Sequence, residues 1–239
     1  MVLSALAAAL SAQAPHSAPQ ALANAFTRQA TPTILLALLI SAVALYLLWR
    51  YAEAPLLFLF AKRVKMGGDA KAPQPRGPMA EQLEASGFSY LGIRWERLFK
   101  LWGRTAAVYV RHNTIIADLP SPSRSEGAYL ATFWQDDSCA LTKFGSSREV
   151  TEPDYHSRAA GSRRVASVLD EHIRTETTVS KGRTPVSVET MDERIRLARA
   201  WWERHARSEL SLAAAVGTLF LLAAASAWIY GLLVLFGWI

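Results

Sequence analysis

The chain of 239 residues has very little cysteine, and it lacks charge at both ends. Cys139 is the only cysteine, so an internal disulfide and a multi-cysteine zinc site are both excluded. Arg28 is the only charged side chain before Arg50, and no charged side chain follows Glu209. We therefore expect the ends and the middle of the chain to lie in different solvents.

The sequence also lacks the short motifs that mark common catalytic sites. It has no GxGxxG after a predicted strand, no Walker-type glycine loop and no GxSxG elbow. No two histidines have the spacing that places both imidazoles on one helical face beside a carboxylate. We therefore expect a protein without a catalytic site, a cofactor or a bound metal.

The net charge of +6 and the isoelectric point near 9.7 favour an anionic partner. In a soluble protein this balance would suggest nucleic acid. Here the surplus bases cluster beside apolar runs, where anionic lipid head groups are the nearer partner. The sequence thus predicts membrane lipids as partners and no nucleic acid.

The first apolar run, residues 33–49, carries no charge and predicts a transmembrane helix over residues 32–51. Residues 1–31 are expected on the extracytoplasmic side, as a signal-like segment or as an apolar helix on the membrane surface. Residues 52–78 predict an interfacial segment followed by a linker rich in proline and glycine, which should be poorly ordered.

The second apolar run occupies residues 210–239 and predicts one tilted transmembrane helix within residues 208–239. Ala213 and Gly217, then Ala223, Ala227 and Gly231, are spaced four apart on nearly one helical face. Small residues at this spacing allow helices to pack closely. Two explanations of this spacing are about equally favoured. The small residues pack against another membrane protein or a second copy of the chain, or the spacing arises by chance in an alanine-rich helix.

Lysine and arginine flank both runs on the side of the central segment. The positive-inside rule then predicts a multi-pass protein of a bacterial inner membrane, with a cytoplasmic middle and both termini extracytoplasmic. Aromatic and basic residues next to the runs are expected at the membrane interface. These are Trp49, Arg50, Lys62, Arg63, Lys65, Trp201, Trp202, Arg204 and Arg207.

The middle, residues 79–207, predicts a small α+β domain. A short helix begins near Met79, and four segments rich in β-branched and aromatic residues then predict a sheet of three or four antiparallel strands. These segments are residues 88–95, 105–112, 128–135 and 139–144. Apolar residues at helical spacing from Val165 and again from Val188 predict two amphipathic helices. The expected fold class is this α+β domain flanked by two transmembrane helices.

A few polar residues have a possible chemical function. Asp136 and Asp137 could act as paired carboxylates, but a tight hairpin turn between two strands explains them more simply. His172 falls on the apolar stripe of a predicted helix, which favours a structural histidine over metal binding or acid–base chemistry. Cys139 begins a strand and is expected to be a small core thiol.

Several short patterns resemble those of a group of uncharacterised bacterial membrane-anchored proteins. The patterns are the pairs 87–88 and 91–92, then Tyr129, Thr132, Phe133, the acidic turn at 136–137, Thr142 and the stretch 170–186. The resemblance covers most of the central segment and implies no activity.

Together these features predict a non-enzymatic inner-membrane protein. Its cytoplasmic α+β domain would be held at the bilayer to bind a partner or a ligand. The alternative is a membrane-tethered enzyme that acts on a lipid or small molecule at the interface through Asp136, Asp137 and His172. A channel is disfavoured because neither apolar run contains an ionisable residue.

Overall fold

The computed structural model describes residue 36 and residues 39–98, 102–146 and 148–235. It divides into two units, one comprising residues 1–52 with 217–239 and the other residues 53–216. We call the second unit the domain. The predicted extracytoplasmic segment, residues 1–31, lies outside the described residues.

In the described part of the chain the α-helices are α1 (Leu39–Tyr51), α2 (Glu53–Leu59), α3 (Pro78–Ala85), α4 (Val165–Ser180), α5 (Met191–Arg204) and α6 (Ala206–Leu235). A short 3-10 helix covers Ala61–Arg63. The strands are β1 (Lys65–Asp69), β2 (Ser89–Leu98), β3 (Trp102–Arg111), β4 (Ile115–Leu119), β5 (Tyr129–Phe133), β6 (Cys139–Phe144), β7 (Val150–Glu152) and β8 (Tyr155–Ala160).

The first unit contains α1 and the part of α6 from Gly217 onward. Both segments expose large apolar side chains: Leu39 is 61% exposed and Leu219 is 68% exposed. The rings of Tyr51 and Phe220 stack with their centroids 4.4 Å apart. These apolar surfaces have the composition of helices that contact lipid.

The domain is built on one eight-stranded sheet in the order β1-β2-β3-β4-β5-β6-β8-β7. Strands β1 to β6 form an antiparallel meander, each paired with its neighbour along the chain. Strand β8 pairs with β6 in the parallel direction, and β7 pairs with β8 as an antiparallel edge strand. The sheet is therefore mixed.

Both faces of the sheet are covered. Along β3, Ala107 and Tyr109 belong to one core, whereas Val108 and Val110 belong to a second core on the opposite face. Helices α3 and α4 contribute side chains to the first core, and α5 contributes to the second. Because the sheet is buried on two sides, its central strands do not show the alternation of a half-exposed strand.

The predicted sheet of three or four antiparallel strands is wrong, since the domain has eight strands and one parallel pairing. The four predicted segments correspond to β2, β3, β5 and β6. The sequence of β4, Ile115–Leu119, is buried throughout and is a short apolar run without period. Strand β8 is equally hard to recognise because polar residues interrupt it.

Strand β1 lies in the segment predicted to be a poorly ordered linker. It is glycine-rich because neighbouring side chains pack directly on its backbone. A Cβ added at Gly67 would lie 2.3 Å from the Trp95 ring, and one added at Gly68 would lie 2.5 Å from Met191 Cγ. The glycines therefore allow side chains to pack closely on this strand. Glycine content alone suggests a flexible linker instead.

The prediction of two flanking transmembrane helices is also not met. Within the described residues, one helix is long and apolar enough to cross a membrane, Ala206–Tyr230, with a mean hydropathy of 2.0. The part of α1 that the structure describes, Leu39–Tyr51, spans about 20 Å at ~1.5 Å per residue. It passes the same test only if it is joined with α2, beyond a bend, into one broken span.

Candidate ligand-binding site

A charged cluster is buried on the α5 face of the sheet. Its members come from four elements: Arg94 from β2, Asp118 from β4, Tyr129 from β5 and Arg194 from α5. Asp118 is 1% exposed, Arg94 5% and Arg194 1%. Charged side chains are almost never buried to this degree unless they are paired. We call these four residues the charged cluster.

The fold positions each member. Asp118 and Tyr129 are paired across β4 and β5, so that both side chains lie on the same face. Arg194 follows a capping box, in which the Thr190 hydroxyl accepts a hydrogen bond from the Glu193 amide. The Glu193 carboxylate in turn accepts one from the Thr190 amide. This cap fixes the start of α5 and places Arg194 in its first turn.

The carboxylate of Asp118 is the centre of the cluster. Arg94 donates to its Oδ2 from Nη2 at 2.6 Å and from Nε at 3.1 Å. Arg194 donates from Nη2 to Oδ2 at 2.6 Å and from Nε to Oδ1 at 3.2 Å. The Tyr129 hydroxyl donates to Oδ2 at 2.5 Å. One carboxylate thus receives two guanidiniums and a phenol.

These contacts determine the ionisation of the cluster. Burial by itself favours the neutral acid, but the guanidiniums of Arg194 and Arg94 outweigh it and hold the pKa of Asp118 well below its ordinary value. Burial, reinforced by the negative charge of Asp118, raises the pKa of Tyr129. At neutral pH the cluster therefore contains an ionised carboxylate, two cations and a neutral phenol.

One polar atom of the cluster is unsatisfied. Arg194 Nη1 is buried and has no hydrogen-bond partner among the described residues. A buried donor without a partner costs about 1–3 kcal/mol, and more when it is charged. Such an atom needs an explanation, and an anion that accepts its hydrogen bond is a direct one.

The charged cluster lies in the wall of a cavity of about 360 Å³. This volume is within the usual range for small-molecule sites, roughly 300–1,000 Å³. Apolar side chains complete the wall, including Phe133, Leu141 and Ala198, and two residues of α6, Leu210 and Ala213, lie at one side. All of the lining residues belong to the domain.

The cavity lining has more basic than acidic side chains. Each acid is already engaged. Glu96 contacts Arg94 and accepts from Trp202 Nε1 at 2.8 Å. Glu209 pairs with Lys143 at 2.7 Å and accepts from Tyr155. The lining bases are Arg94, Arg104, Lys143, Arg148 and Arg194, and the lining acids are Glu96, Asp118 and Glu209.

Two adjacent tryptophans complete the cavity. Trp201 and Trp202 both line it, with their rings edge to face at 5.4 Å. Trp202 is 7% exposed. Both side chains are therefore packed within the domain, although the sequence predicts them at the membrane interface.

The other predicted interface residues have different surroundings. Trp49 is 58% exposed, and Lys62, Arg63, Lys65 and Arg207 are exposed. Arg50 is exposed and lies 6.0 Å from the centre of the Tyr51 ring. The Arg204 guanidinium is paired with Asp137 at 2.5 Å, on the surface of the domain.

The structure does not bring Asp136, Asp137 and His172 to the cavity. The two aspartates lie in the turn between β5 and β6, where both are about half exposed. Asp137 has a φ of 65°, a left-handed conformation that suits aspartate in turns. Asp136 accepts from the Ser138 amide at 3.2 Å and pairs with Arg183.

His172 is fully buried between α4 and the sheet. Its Nε2 lies 3.0 Å from Thr132 Oγ1, and its Nδ1 lies 2.9 Å from Thr142 Oγ1. A hydroxyl can donate or accept, so the neutral imidazole satisfies both contacts. Burial lowers its pKa to about 4.

We expect His172 to make the domain less stable in mild acid. The unfolded chain takes up a proton near pH 6.5, whereas the folded domain takes it up only near pH 4, so stability falls as the pH decreases between these values. The loss should reach on the order of 3 kcal/mol. Urea unfolding at several pH values measures it. His172→Gln should reduce this slope, and a slope equal to that of the unaltered chain would contradict the assignment.

None of the sequence-based predictions includes the charged cluster. Two signals were present. Asp118 is a lone acid inside the apolar run Ile115–Leu119, and Arg194 follows Met191 by three residues, which places it on the apolar face of its helix. A charge at a position that should be buried is the pattern of a buried ion pair.

No family model, curated protein or solved structure matches this chain.

Proposed function

We propose that this protein is a membrane-anchored binding protein whose cavity holds an amphipathic anion. The ligand has a phosphate or carboxylate head group and a single alkyl chain. The observation that carries the proposal is the buried and unpartnered Nη1 of Arg194, a residue that lines a cavity whose surface is otherwise largely apolar. A head group would accept from Nη1, and an alkyl chain would cover the apolar wall.

The charge of the lining supports an anion. Five basic and three acidic side chains line the cavity, so the lining has an excess of two positive charges. Arginine offers a planar fork of donors that matches phosphate and carboxylate oxygens. The pair Arg94 and Arg194 is held in place by Asp118, so little conformational entropy is lost when a ligand binds.

The position of the cavity supports an amphipathic ligand. Leu210 and Ala213 line it and belong to the first turns of Ala206–Tyr230, the candidate membrane span. If this helix enters a bilayer, the cavity opens close to the head-group region, where single-chain amphiphiles concentrate. The bases near the apolar helices favour a cytoplasmic position for the domain.

Binding is better supported than catalysis. The commonest general bases in enzymes are a histidine imidazole and a free carboxylate within reach of the substrate. Asp118, Glu96 and Glu209 are each held by a cation, and no histidine of the described residues lines the cavity. The membrane-tethered enzyme is therefore the less supported alternative.

The test uses the intact chain in digitonin, a detergent without an alkyl chain, and native mass spectrometry to count bound ligand. We expect one dodecyl phosphate per chain. Dodecanol lacks the charge and inorganic phosphate lacks the alkyl chain, so each should bind at least tenfold more weakly. A tenfold change corresponds to a loss of about 1.4 kcal/mol of binding free energy. Equal binding of dodecanol and dodecyl phosphate would overturn the proposal.

A blocking substitution provides a matched pair. Ala213 is exposed and lines the cavity, so Ala213→Trp should fill the mouth without disturbing the core, and should weaken dodecyl phosphate binding at least tenfold. Leu212 is 60% exposed and does not line the cavity. Leu212→Trp therefore adds the same indole on the same helix and should leave binding unchanged. Unchanged binding in Ala213→Trp would show that the ligand lies elsewhere.

A further inference from the structure

A second group of side chains lies outside the cavity lining. Glu152 is the last residue of β7, Asp154 is in the turn between β7 and β8, and His205 separates α5 from α6. One potential ligand atom from each residue lies within 4.8 Å of the other two. None of these residues contributes to the cavity.

His205 is the member of this group that points to a ligand. It is 3% exposed, and its Nε2 is buried without a hydrogen-bond partner among the described residues. A buried imidazole nitrogen without a partner is costly, as is any buried polar atom. The carboxylates of Glu152 and Asp154 lie near the ring but do not donate a hydrogen bond to this nitrogen or accept one from it among the described residues.

The ring of His205 is held in position. It stacks on the Tyr155 ring with the centroids 4.9 Å apart and the planes 15° apart. The His205 amide donates to the Trp201 carbonyl at 2.8 Å, and its carbonyl accepts from the Glu209 amide at 3.1 Å. A metal ligand that is fixed before the ion arrives loses little entropy when it binds.

The carboxylates are less constrained. Asp154 is exposed and Glu152 is partly exposed. In the described residues no hydrogen bond or ion pair engages either side chain. Both can therefore turn toward a cation at His205 without breaking a hydrogen bond or an ion pair.

We propose that Glu152, Asp154 and His205 bind a divalent first-row transition cation such as Zn²⁺. Imidazole and carboxylate oxygens are the ligands of this ion, at about 2.0–2.2 Å. Tetrahedral ligands at that distance lie roughly 3.4 Å apart, so the present spacing of up to 4.8 Å needs only small side-chain rotations. Mg²⁺ and Ca²⁺ are disfavoured, because they prefer oxygen ligands and this site includes an imidazole nitrogen.

The proposed ion has three protein ligands, which leaves a fourth position for water or for a partner's side chain. It joins the edge hairpin of β7 and β8 to the junction of α5 and α6. The ion should therefore stabilise the domain, and the proposal is independent of what the cavity binds.

Equilibrium dialysis of the metal-free intact chain against Zn²⁺ tests the site. We expect one Zn²⁺ per chain and a rise in the unfolding temperature on binding. The double variant Glu152→Gln with Asp154→Asn removes two charged ligands but keeps the shape of both side chains. It should weaken Zn²⁺ binding on the order of 100-fold. Even the loss of a residue that only hydrogen-bonds to a metal ligand lowers metal affinity by about 10–100-fold.

The matched control is Asp170→Asn with Glu203→Gln, two exposed carboxylates outside the group. It should bind Zn²⁺ as the unaltered chain does. If both double variants bind equally, the ion is held by scattered surface carboxylates and the proposal is wrong. Absence of stoichiometric binding to the unaltered chain would overturn it as well.

Discussion

Replacing Asp118 by asparagine is expected to destabilise the domain by about 3–5 kcal/mol, because two buried guanidiniums lose their counter-charge. Asparagine has nearly the same shape as aspartate, so the effect measures charge and not packing. Asp118 is completely buried and receives bonds from Arg94, Arg194 and Tyr129. Urea unfolding of the intact chain in detergent, followed by tryptophan fluorescence, gives the difference in free energy.

The control for this substitution is an exposed ion pair. Glu171→Gln breaks the pair of Glu171 with Arg158, whose side chains are 32% and 51% exposed. Surface pairs contribute at most about 1 kcal/mol, so this variant should remain close to the unaltered chain. If Asp118→Asn were no less stable than Glu171→Gln, the charged cluster would not have the electrostatic role assigned to it.

The pH dependence of the same cluster has a definite sign. The pKa of Asp118 is lowered in the folded domain, so the unfolded chain binds more protons and stability rises with pH. The contribution is complete above the ordinary carboxyl pKa, near 3.9, and is lost only as the pH falls below it. The loss due to His172 occurs at higher pH, so the two effects are separable.

Replacing Arg194 by methionine is expected to weaken dodecyl phosphate binding by about 10–100-fold. Hydrogen bonds to charged groups contribute about 1.5–3 kcal/mol, and each 1.4 kcal/mol is a factor of ten. Methionine approximates the length of the arginine stem, and Asp118 keeps its contacts with Arg94 and Tyr129, so the domain should still fold. Native mass spectrometry in digitonin gives the affinity ratio, and circular dichroism confirms folding.

Two further variants define this result. Arg194→Lys retains the charge but not the planar fork, and should give an intermediate affinity. Arg174→Met removes an exposed arginine of α4 that does not line the cavity, and should have no effect on binding. Equal affinities for Arg194→Met and Arg174→Met would show that the buried guanidinium does not contact the ligand.

The sequence predicts the parts of the fold where local pattern and burial agree. Segments β2, β3, β5 and β6 combine β-branched and aromatic residues with partial alternation, and each was recognisable. Strand β4 is buried on both faces and short, so it has no period to detect. The parallel pairing of β6 with β8 depends on a chain crossing that no local pattern specifies.

The candidate site shows the same limit. The turn at Asp136 and Asp137 follows from turn chemistry and was predicted as such. The cavity depends on residues far apart in the chain, such as Arg94 and Arg194, which only the sheet and α5 bring together. From the sequence alone, the acidic turn is a more prominent candidate site than Asp118, because the sequence does not show which side chains are buried.

The membrane topology stays a prediction. Helix Ala206–Tyr230 has the length and composition of one span, and the flanking bases predict a cytoplasmic domain. The position of the domain relative to the membrane would determine the source of the proposed ligand. The chemistry of the cavity depends on the domain alone.

The most direct measurement is a structure of the intact chain determined with dodecyl phosphate. We predict the phosphate within hydrogen-bond distance of Arg194 Nη1, with the alkyl chain along Leu141, Phe133 and the two tryptophans of the cavity. A structure with the amphiphile only on the outer surface of α6, and nothing bound beside Arg194, would contradict the account.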